Sequence, residues 1–156
     1  MKTPLVIIST LLVLAVIVPF IIFIYKSSTS SGSIKKQSQL LLKNNGITYA
    51  TTEVWRKNFI GISIDKNTLT HIGFKKAIPS LNNISLSDIK QCNIIKNYNN
   101  SSSTPTLKNL DLELVSKLAS KTHVIINFFN LDEDLIQDFD VQRIEKWQQL
   151  IKNALV

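Results

Sequence analysis

The chain has 156 residues, a formal net charge of +7 and a single cysteine, Cys92. One cysteine excludes an internal disulfide, and four glycines in the whole chain leave no glycine-rich phosphate-binding loop. The lysines are scattered and have no cluster of arginines or aromatic residues beside them, so we expect no nucleic-acid partner.

The first predicted element is a helix in the apolar run Pro4–Tyr25, whose 22 residues carry no charge. At about 1.5 Å per residue this helix measures about 33 Å, enough to cross a hydrocarbon core of about 30 Å. A signal peptide has a shorter apolar region, of about 7–15 residues, and then a small-residue cleavage site. No A-x-A-like site follows this run, and cleavage within residues 27–33 (SSTSSGS) is the alternative. We interpret residues 1–26 as an uncleaved, single-pass transmembrane anchor.

The lysines that flank the predicted anchor indicate its orientation. Lys2 and the amino terminus precede the apolar run, whereas the following stretch carries more basic residues: Lys26, Lys35, Lys36 and Lys43. Since cytoplasmic flanks are enriched in lysine and arginine, we expect the remaining chain to lie on the cytoplasmic side. The lack of disulfides fits a reducing compartment. The composition is rich in Asn, Ile and Lys, which is typical of proteins encoded by AT-rich bacterial genomes.

Residues 27–45 predict a polar linker and a short helix. The linker, KSSTSSGSIKKQSQ, is flexible by composition, and SQLLLKNNGI predicts a brief helix that ends at Asn-Asn-Gly. Residues 46–156 then predict one soluble α+β domain with its own core.

Alternating and β-branched residues predict the strands of this domain. NFIGISIDKNTLTHIGF predicts a hairpin whose turn contains DKN, and AIPSLNN predicts a loop. ISLSDIKQCNIIKNY predicts one or two further strands, and NNSSSTPT an exposed loop. LDLELVSKL has the period of two of a half-buried strand, and HVIINFFN predicts a denser, central strand.

The last segment has a helical period. Its stripe recurs at i, i+3, i+4 and i+7 and consists of Val141, Ile144, Trp147, Gln148, Ile151 and Leu155. Asp140 is placed to cap the start of this helix. We expect an amphipathic carboxyl-terminal helix that packs on the sheet mainly through Trp147.

These segments together resemble a known domain type. The domain is similar to small pleckstrin-homology-like domains of bacterial membrane-anchored proteins. The segments that carry this resemblance are FIGISIDKNTLTHIGF, ISLSDIKQCNIIK, LDLELVSK with THVIINFFN, and the closing DVQRIEKWQQLIKNAL. The resemblance covers about residues 53–156 and implies a bent antiparallel sheet of seven strands, closed at one end by a helix. Five or six strands can be assigned here. The lysine and arginine signature of phosphoinositide binders is not matched, since Lys66, Lys75 and Lys76 have no arginine beside them.

The residues capable of catalysis or metal binding are few. His71, His123 and Cys92 are too sparse for a zinc site, and no local signature joins them into a Cys–His nucleophile pair. The acidic stretch LDEDLIQDFD lacks the glycine and the spacing of a calcium loop. We predict no catalytic site, no metal site and no cofactor, and we identify no small-molecule substrate.

The charge of the chain is unevenly distributed. Residues 109–156 contain eight acidic and five basic residues, so the basic excess lies nearer the anchor. Juxtamembrane lysines are attracted to anionic headgroups by about 1 kcal/mol each. The candidate lipid-facing residues are Lys26, Lys35, Lys36, Lys75 and Lys76. The alternative is that the first three only set the orientation of the anchor.

The sequence therefore predicts an α+β protein with one N-terminal transmembrane helix, followed by a small antiparallel, pleckstrin-homology-like sheet closed by a C-terminal helix. The function that we expect is a membrane-anchored binding or scaffolding module, with the lipid bilayer and another membrane or cytoplasmic protein as partners. The alternatives are a sensor of anionic lipid surfaces and an enzyme with a dispersed site.

Overall fold

The computed structural model describes residues 12–19, 32–43, 45–75, 78–99, 105–118, 123–134 and 139–155. These residues form an α+β fold, as predicted. Its strands are β1 (Tyr49–Trp55), β2 (Asn58–Ser63), β3 (Thr68–Gly73), β4 (Ser80–Ser85), β5 (Ile89–Asn99), β6 (Thr106–Ser116) and β7 (Val124–Asn130). The helical segments are residues 12–19, residues 32–43, a short 3-10 turn at Leu86–Asp88 and a C-terminal helix at Asp140–Lys152.

The predicted anchor over residues 1–26 lies mostly outside the described residues. Within it the structure describes residues 12–19, which are helical and exposed. Among the described helices, none combines the length and the apolar character needed to cross a membrane. The transmembrane helix is therefore a prediction of the sequence alone.

The helical segment 32–43 begins earlier than its sequence pattern predicts, since residues 32–37 are helical and do not belong to a linker. One side of this segment is buried at Ile34 and Ser38, and the Ser38 hydroxyl donates to the Ile34 carbonyl at 2.7 Å. The segment ends where Asn-Asn-Gly predicts: the Asn45 amide donates to the Leu42 carbonyl, and Gly46 has φ +64°.

Strands β1 to β4 form a four-stranded sheet in the order β1-β2-β3-β4. Neighbouring strands are joined by the short connections 56–57, 64–67 and 74–79, and such connections make the sheet antiparallel. The hairpin predicted around Asp65–Asn67 is confirmed as β2 and β3, with Lys66 at φ 57° in the turn. The loop predicted at AIPSLNN is wrong in its second half, because Ser80–Asn83 belong to β4.

Strands β5 to β7 form a second antiparallel sheet in the order β5-β6-β7. The alternation predicted for β6 is confirmed: Leu110, Leu112 and Leu114 are fully buried, and the residues between them are half-buried. The central strand is β6, which pairs with both neighbours. The prediction that HVIINFFN is central is therefore wrong, because β7 lies at the edge of the sheet.

The C-terminal helix packs as predicted through its apolar stripe. Ile144, Trp147 and Ile151 are all completely buried, and the Gln148 side chain donates to the Cys92 carbonyl of β5 at 3.0 Å. Two details differ from the prediction. Leu155 follows the helix, and Asp140 is its first helical residue, preceded by Phe139 as the N-cap without a side-chain hydrogen bond.

The described residues belong to two compact units that alternate along the chain. The first unit contains the residues up to Ile47, together with Glu53–Phe59 and Ile72–Ser80. The second unit contains Thr48–Thr52, Ile60–His71 and Leu81–Val156. Strands β1 to β4 contribute residues to both units, whereas β5 to β7 and the C-terminal helix belong to the second.

Candidate functional site

Three of the five lysines predicted to face lipid lie within the described residues. Lys35 and Lys36 are exposed on the helical segment 32–43, and Lys75 is exposed shortly after β3. All three belong to the first unit. Lys26 and Lys76 lie outside the described residues.

No local sequence pattern groups these lysines with the turn between β1 and β2. That turn consists of Arg56 and Lys57, and Arg56 has φ 45°. The Phe74 amide donates to the Lys57 carbonyl at 2.8 Å, which brings the β1–β2 turn beside the residues that follow β3. Strand order explains this proximity, because in an antiparallel sheet the β1–β2 and β3–β4 connections lie at the same end. The strand order, and not the local sequence, therefore brings Lys57 close to Lys75.

The described part of the first unit is strongly basic. It holds one acidic residue, Glu53, and six basic residues: Lys35, Lys36, Lys43, Arg56, Lys57 and Lys75. The described part of the second unit holds eight basic and nine acidic residues. The excess positive charge of the chain thus belongs to the first unit.

Cys92 is held in a position that suppresses thiol chemistry. Its side chain is 1% exposed, and this burial raises the pKa of the Cys92 thiol to about 11. At neutral pH the nucleophilic thiolate is therefore almost absent. The role that the geometry assigns to Cys92 is packing of the apolar side of β5.

The two histidines occupy separate places. His71 lies within β3, and His123 immediately precedes β7. His123 Nδ1 is 3.0 Å from Glu113 Oε1, while Asn93 donates to the other oxygen of Glu113 at 3.1 Å. Hydrogen bonds from Asn93 and then His123 hold the pKa of Glu113 below its ordinary value. This Asn–Glu–His arrangement links β5, β6 and the start of β7.

The acidic stretch 132–140 forms structural contacts where it is described. The Asn130 amide donates to Asp134 Oδ2 at 2.9 Å, and the Asp132 amide donates to Asn130 Oδ1 at 3.0 Å, which closes a turn after β7. Asp140 is completely buried and is paired with Arg143 at 2.9 Å. Asp138 lies outside the described residues. Across the described ranges, no three His, Cys, Asp or Glu side chains are placed to hold a metal ion.

No protein-family model, curated protein or solved structure matches this chain. The fold and the surfaces of the described residues are therefore the basis for inferring its function.

Proposed function

We propose that this chain is a single-pass, membrane-anchored binding module with a pleckstrin-homology-like domain. The observation that carries the proposal is the arrangement of four strands in one sheet, three in a second and a C-terminal helix packed through Trp147. The resemblance noted in the sequence implies such a domain of seven strands and one helix. Because this fold serves many functions, the binding role needs support from the side chains.

The titratable side chains support binding more than catalysis. Three reactive side chains have structural roles: Cys92 is buried, Asp140 is paired with Arg143, and Glu113 is bonded to Asn93 and His123. In our proposal the domain acts through its surface. Its partner in our proposal is another membrane protein or a cytoplasmic protein.

The membrane anchor in this proposal is the apolar run Pro4–Tyr25. Its support is the uncharged length of that run, and the lysines after it support a cytoplasmic domain. Intact mass spectrometry of the protein from native membranes tests the anchor. We expect the full-length chain, and a mature amino terminus within Ser27–Ser33 would refute the anchor.

Cross-linking in native membranes, followed by purification and mass spectrometry, tests the binding role. The bait is the full-length chain, and the control is a chain of residues 1–45 that retains the predicted anchor but lacks every strand. We expect one or a few proteins that cross-link to the full chain and are absent from the control. Identical proteins in both samples would contradict a binding role for the domain.

A second candidate function is sensing of an anionic lipid surface, and the basic first unit favours it. The adjacent β1–β2 and β3–β4 connections supply Arg56, Lys57 and Lys75, which add to the lysines of segment 32–43. Surface charges act over about 8 Å at physiological ionic strength. Lipid attraction therefore predicts binding that weakens as salt is added.

Flotation of anionic vesicles tests lipid sensing with a matched pair of variants. The chain is first inserted into nanodiscs of neutral lipid, and phosphatidylserine vesicles are then added. Reversal of Lys35, Lys36 and Lys75 to Glu should abolish salt-sensitive co-flotation. Reversal of Lys90, Lys108 and Lys117, which are exposed in the second unit, changes the net charge equally and should have little effect. An equal loss of co-flotation in both variants would indicate that the vesicles attract the positive charge of the chain non-specifically.

A further inference from the structure

A pocket of about 280 Å³ opens in the second unit where four strands come together. The residues that line it are Asn83, Ile84, Ser85, Asp88, Ile89, Leu114, Ser116 and Val124. Small-molecule sites usually enclose about 300–1,000 Å³, so this pocket lies below that range. Its size suits one amino-acid side chain better than a cofactor.

The floor of the pocket is apolar and belongs to the core. Ile84 and Ile89 are 8% and 4% exposed, and Leu114 is completely buried. Pairing between strands fixes their positions, since Ile89 is opposite Ser116 and Leu114 is opposite Val124. An apolar side chain that enters this pocket would meet preformed walls, which lowers the entropic cost of binding.

The rim of the pocket is polar and is held in place by the 3-10 turn. The Ser85 and Ser87 hydroxyls are 2.7 Å apart, and the Leu86 amide donates to the Asn67 carbonyl at 2.7 Å. The Asp88 carbonyl accepts from the Lys117 amide at 2.7 Å, which ties the turn to the end of β6. Asp88 is thereby positioned at the rim, and it is the one charged residue among those that line the pocket.

Strand β4, which supplies one wall of the pocket, lies at the edge of its sheet. It pairs with β3 on one side, and the sheet order contains no strand on its other side within the described residues. Five of its six residues are exposed, and the exception is Ile84 in the pocket floor. An edge strand offers backbone N–H and C=O groups to which an extended peptide can add as a further strand.

We propose that β4 and this pocket bind an extended segment of a partner protein. The segment adds to the edge of β4, places one apolar side chain in the pocket and places a lysine or arginine beside the Asp88 carboxylate. In peptide addition of this kind, backbone bonds supply affinity and the pocket supplies specificity. This inference rests on the proposed binding function, and it names the recognition element of the partner.

Selection from a random peptide library displayed on phage tests the inference. The bait is the full chain in nanodiscs, and it is compared with the Val124→Phe variant, whose larger side chain fills the pocket. We expect the unchanged chain to enrich peptides with an apolar residue close to lysine or arginine. The variant should bind those peptides at least about tenfold more weakly. Equal binding by both proteins, or no enrichment by either, would overturn the inference.

Two further variants are controls for misfolding and for non-specific effects. Ile125→Phe introduces the same side chain on the neighbouring residue of β7, which is 60% exposed, and should leave peptide binding unchanged. Asp88→Lys changes the rim without filling the pocket and should shift the selected peptides from lysine and arginine towards aspartate and glutamate. An unchanged charge preference in Asp88→Lys would exclude Asp88 from recognition.

The inference and the proposed function fail in different ways. If cross-linking in membranes identifies a partner whose capture Val124→Phe leaves intact, the binding function stands and the pocket is not its site. If no partner is found while the selected peptides bind the pocket and Val124→Phe prevents it, the pocket is a peptide site and the proposed cellular role is wrong.

Discussion

The two compact units of this chain divide its charge and its core unequally. The second unit nearly balances its described charges and contains most of the largest fully buried side chains, among them Trp147, Phe128 and Leu112. The first unit has six basic residues against one acidic residue in its described part, and it buries few large side chains, such as Trp55 and Phe59. Most of the buried core therefore belongs to the second unit, whereas the net positive charge belongs to the first.

The largest effect that we expect comes from the core of the second unit. Trp147→Ala should lower the free energy of unfolding by about 3–5 kcal/mol, because the side chain is completely buried and its removal leaves a large cavity. Domains of this size are stable by about 5–15 kcal/mol, so the loss is severe. Urea denaturation followed by circular dichroism measures it.

Trp147→Phe and Gln149→Ala are the controls for this prediction. Phenylalanine retains part of the buried area and should cost less than alanine, whereas Gln149 is exposed on the same helix and its loss should change stability by less than about 0.5 kcal/mol. An unfolding curve of Trp147→Ala that matches that of the unchanged chain would show that the helix does not stabilise the second unit through this side chain.

Two ion pairs of the C-terminal helix differ in burial and should differ in strength. Asp140→Ala leaves Arg143, whose side chain is 17% exposed, without its carboxylate, and should cost about 1–3 kcal/mol. Glu145→Ala breaks the exposed pair with Lys96, whose atoms are 3.7 Å apart, and should cost less than about 1 kcal/mol. Thermal unfolding of both variants compares them, and equal melting temperatures would contradict the assigned role of burial.

A pair of glycines provides a smaller test within the first unit. Gly46→Ala forces a Cβ into a backbone with φ +64° and should destabilise the first unit by about 1–2 kcal/mol. Gly32→Ala, at the start of segment 32–43, meets no atom within 4 Å and has no positive φ. It should be neutral or stabilising, because alanine favours helix more than glycine does. Hydrogen exchange of segment 32–43 reports both effects, and similar exchange in the two variants would argue against a left-handed helix end at Gly46.

The smallest effect that we expect is a pH dependence in the second unit. The pKa of Asp65 is lowered, first by the hydrogen bond from Ser63, and that of Glu113 is lowered, first by the hydrogen bond from Asn93. A carboxylate with a lowered pKa in the folded state stabilises the fold above its ordinary pKa, here 3.8 for Asp65 and 4.5 for Glu113. That stabilisation is lost as the pH falls through the folded-state values. Glu113→Gln should flatten the decline in melting temperature below about pH 4.5. If the melting temperature of Glu113→Gln declined as steeply as that of the unchanged chain, other carboxylates would be responsible for the decline.

Periodicity predicted the elements whose side chains are sharply divided between core and surface. The alternation of β6 and the stripe of the C-terminal helix are both confirmed, because burial on one side leaves a regular pattern in the sequence. Strand β4 has no such pattern: its SLNNIS sequence is rich in residues that favour turns, and most of it is exposed. An edge strand tolerates these residues because only one of its sides pairs.

Long-range placement was the part that the sequence did not reveal. Hydropathy suggested that β7 is central, yet Phe128 and Phe129 are both buried in an edge strand that has an irregularity in its pairing with β6. The proximity of Lys57 and Lys75 depends on strand order, which no local pattern records. The pocket beside Asp88 likewise requires residues from four strands. No local sequence pattern distinguishes the polar and apolar residues that line it.

The Gln148 side chain, which binds the Cys92 carbonyl, also bears on how this protein can aggregate. β5 lies at the edge of its sheet, and an uncovered edge is a template for pairing with strands of other molecules. The C-terminal helix therefore binds one carbonyl of this edge strand as well as contributing to the core. If the helix detaches while the sheet persists, the edge of β5 loses this contact. We then expect intermolecular β-structure to form before the chain unfolds completely.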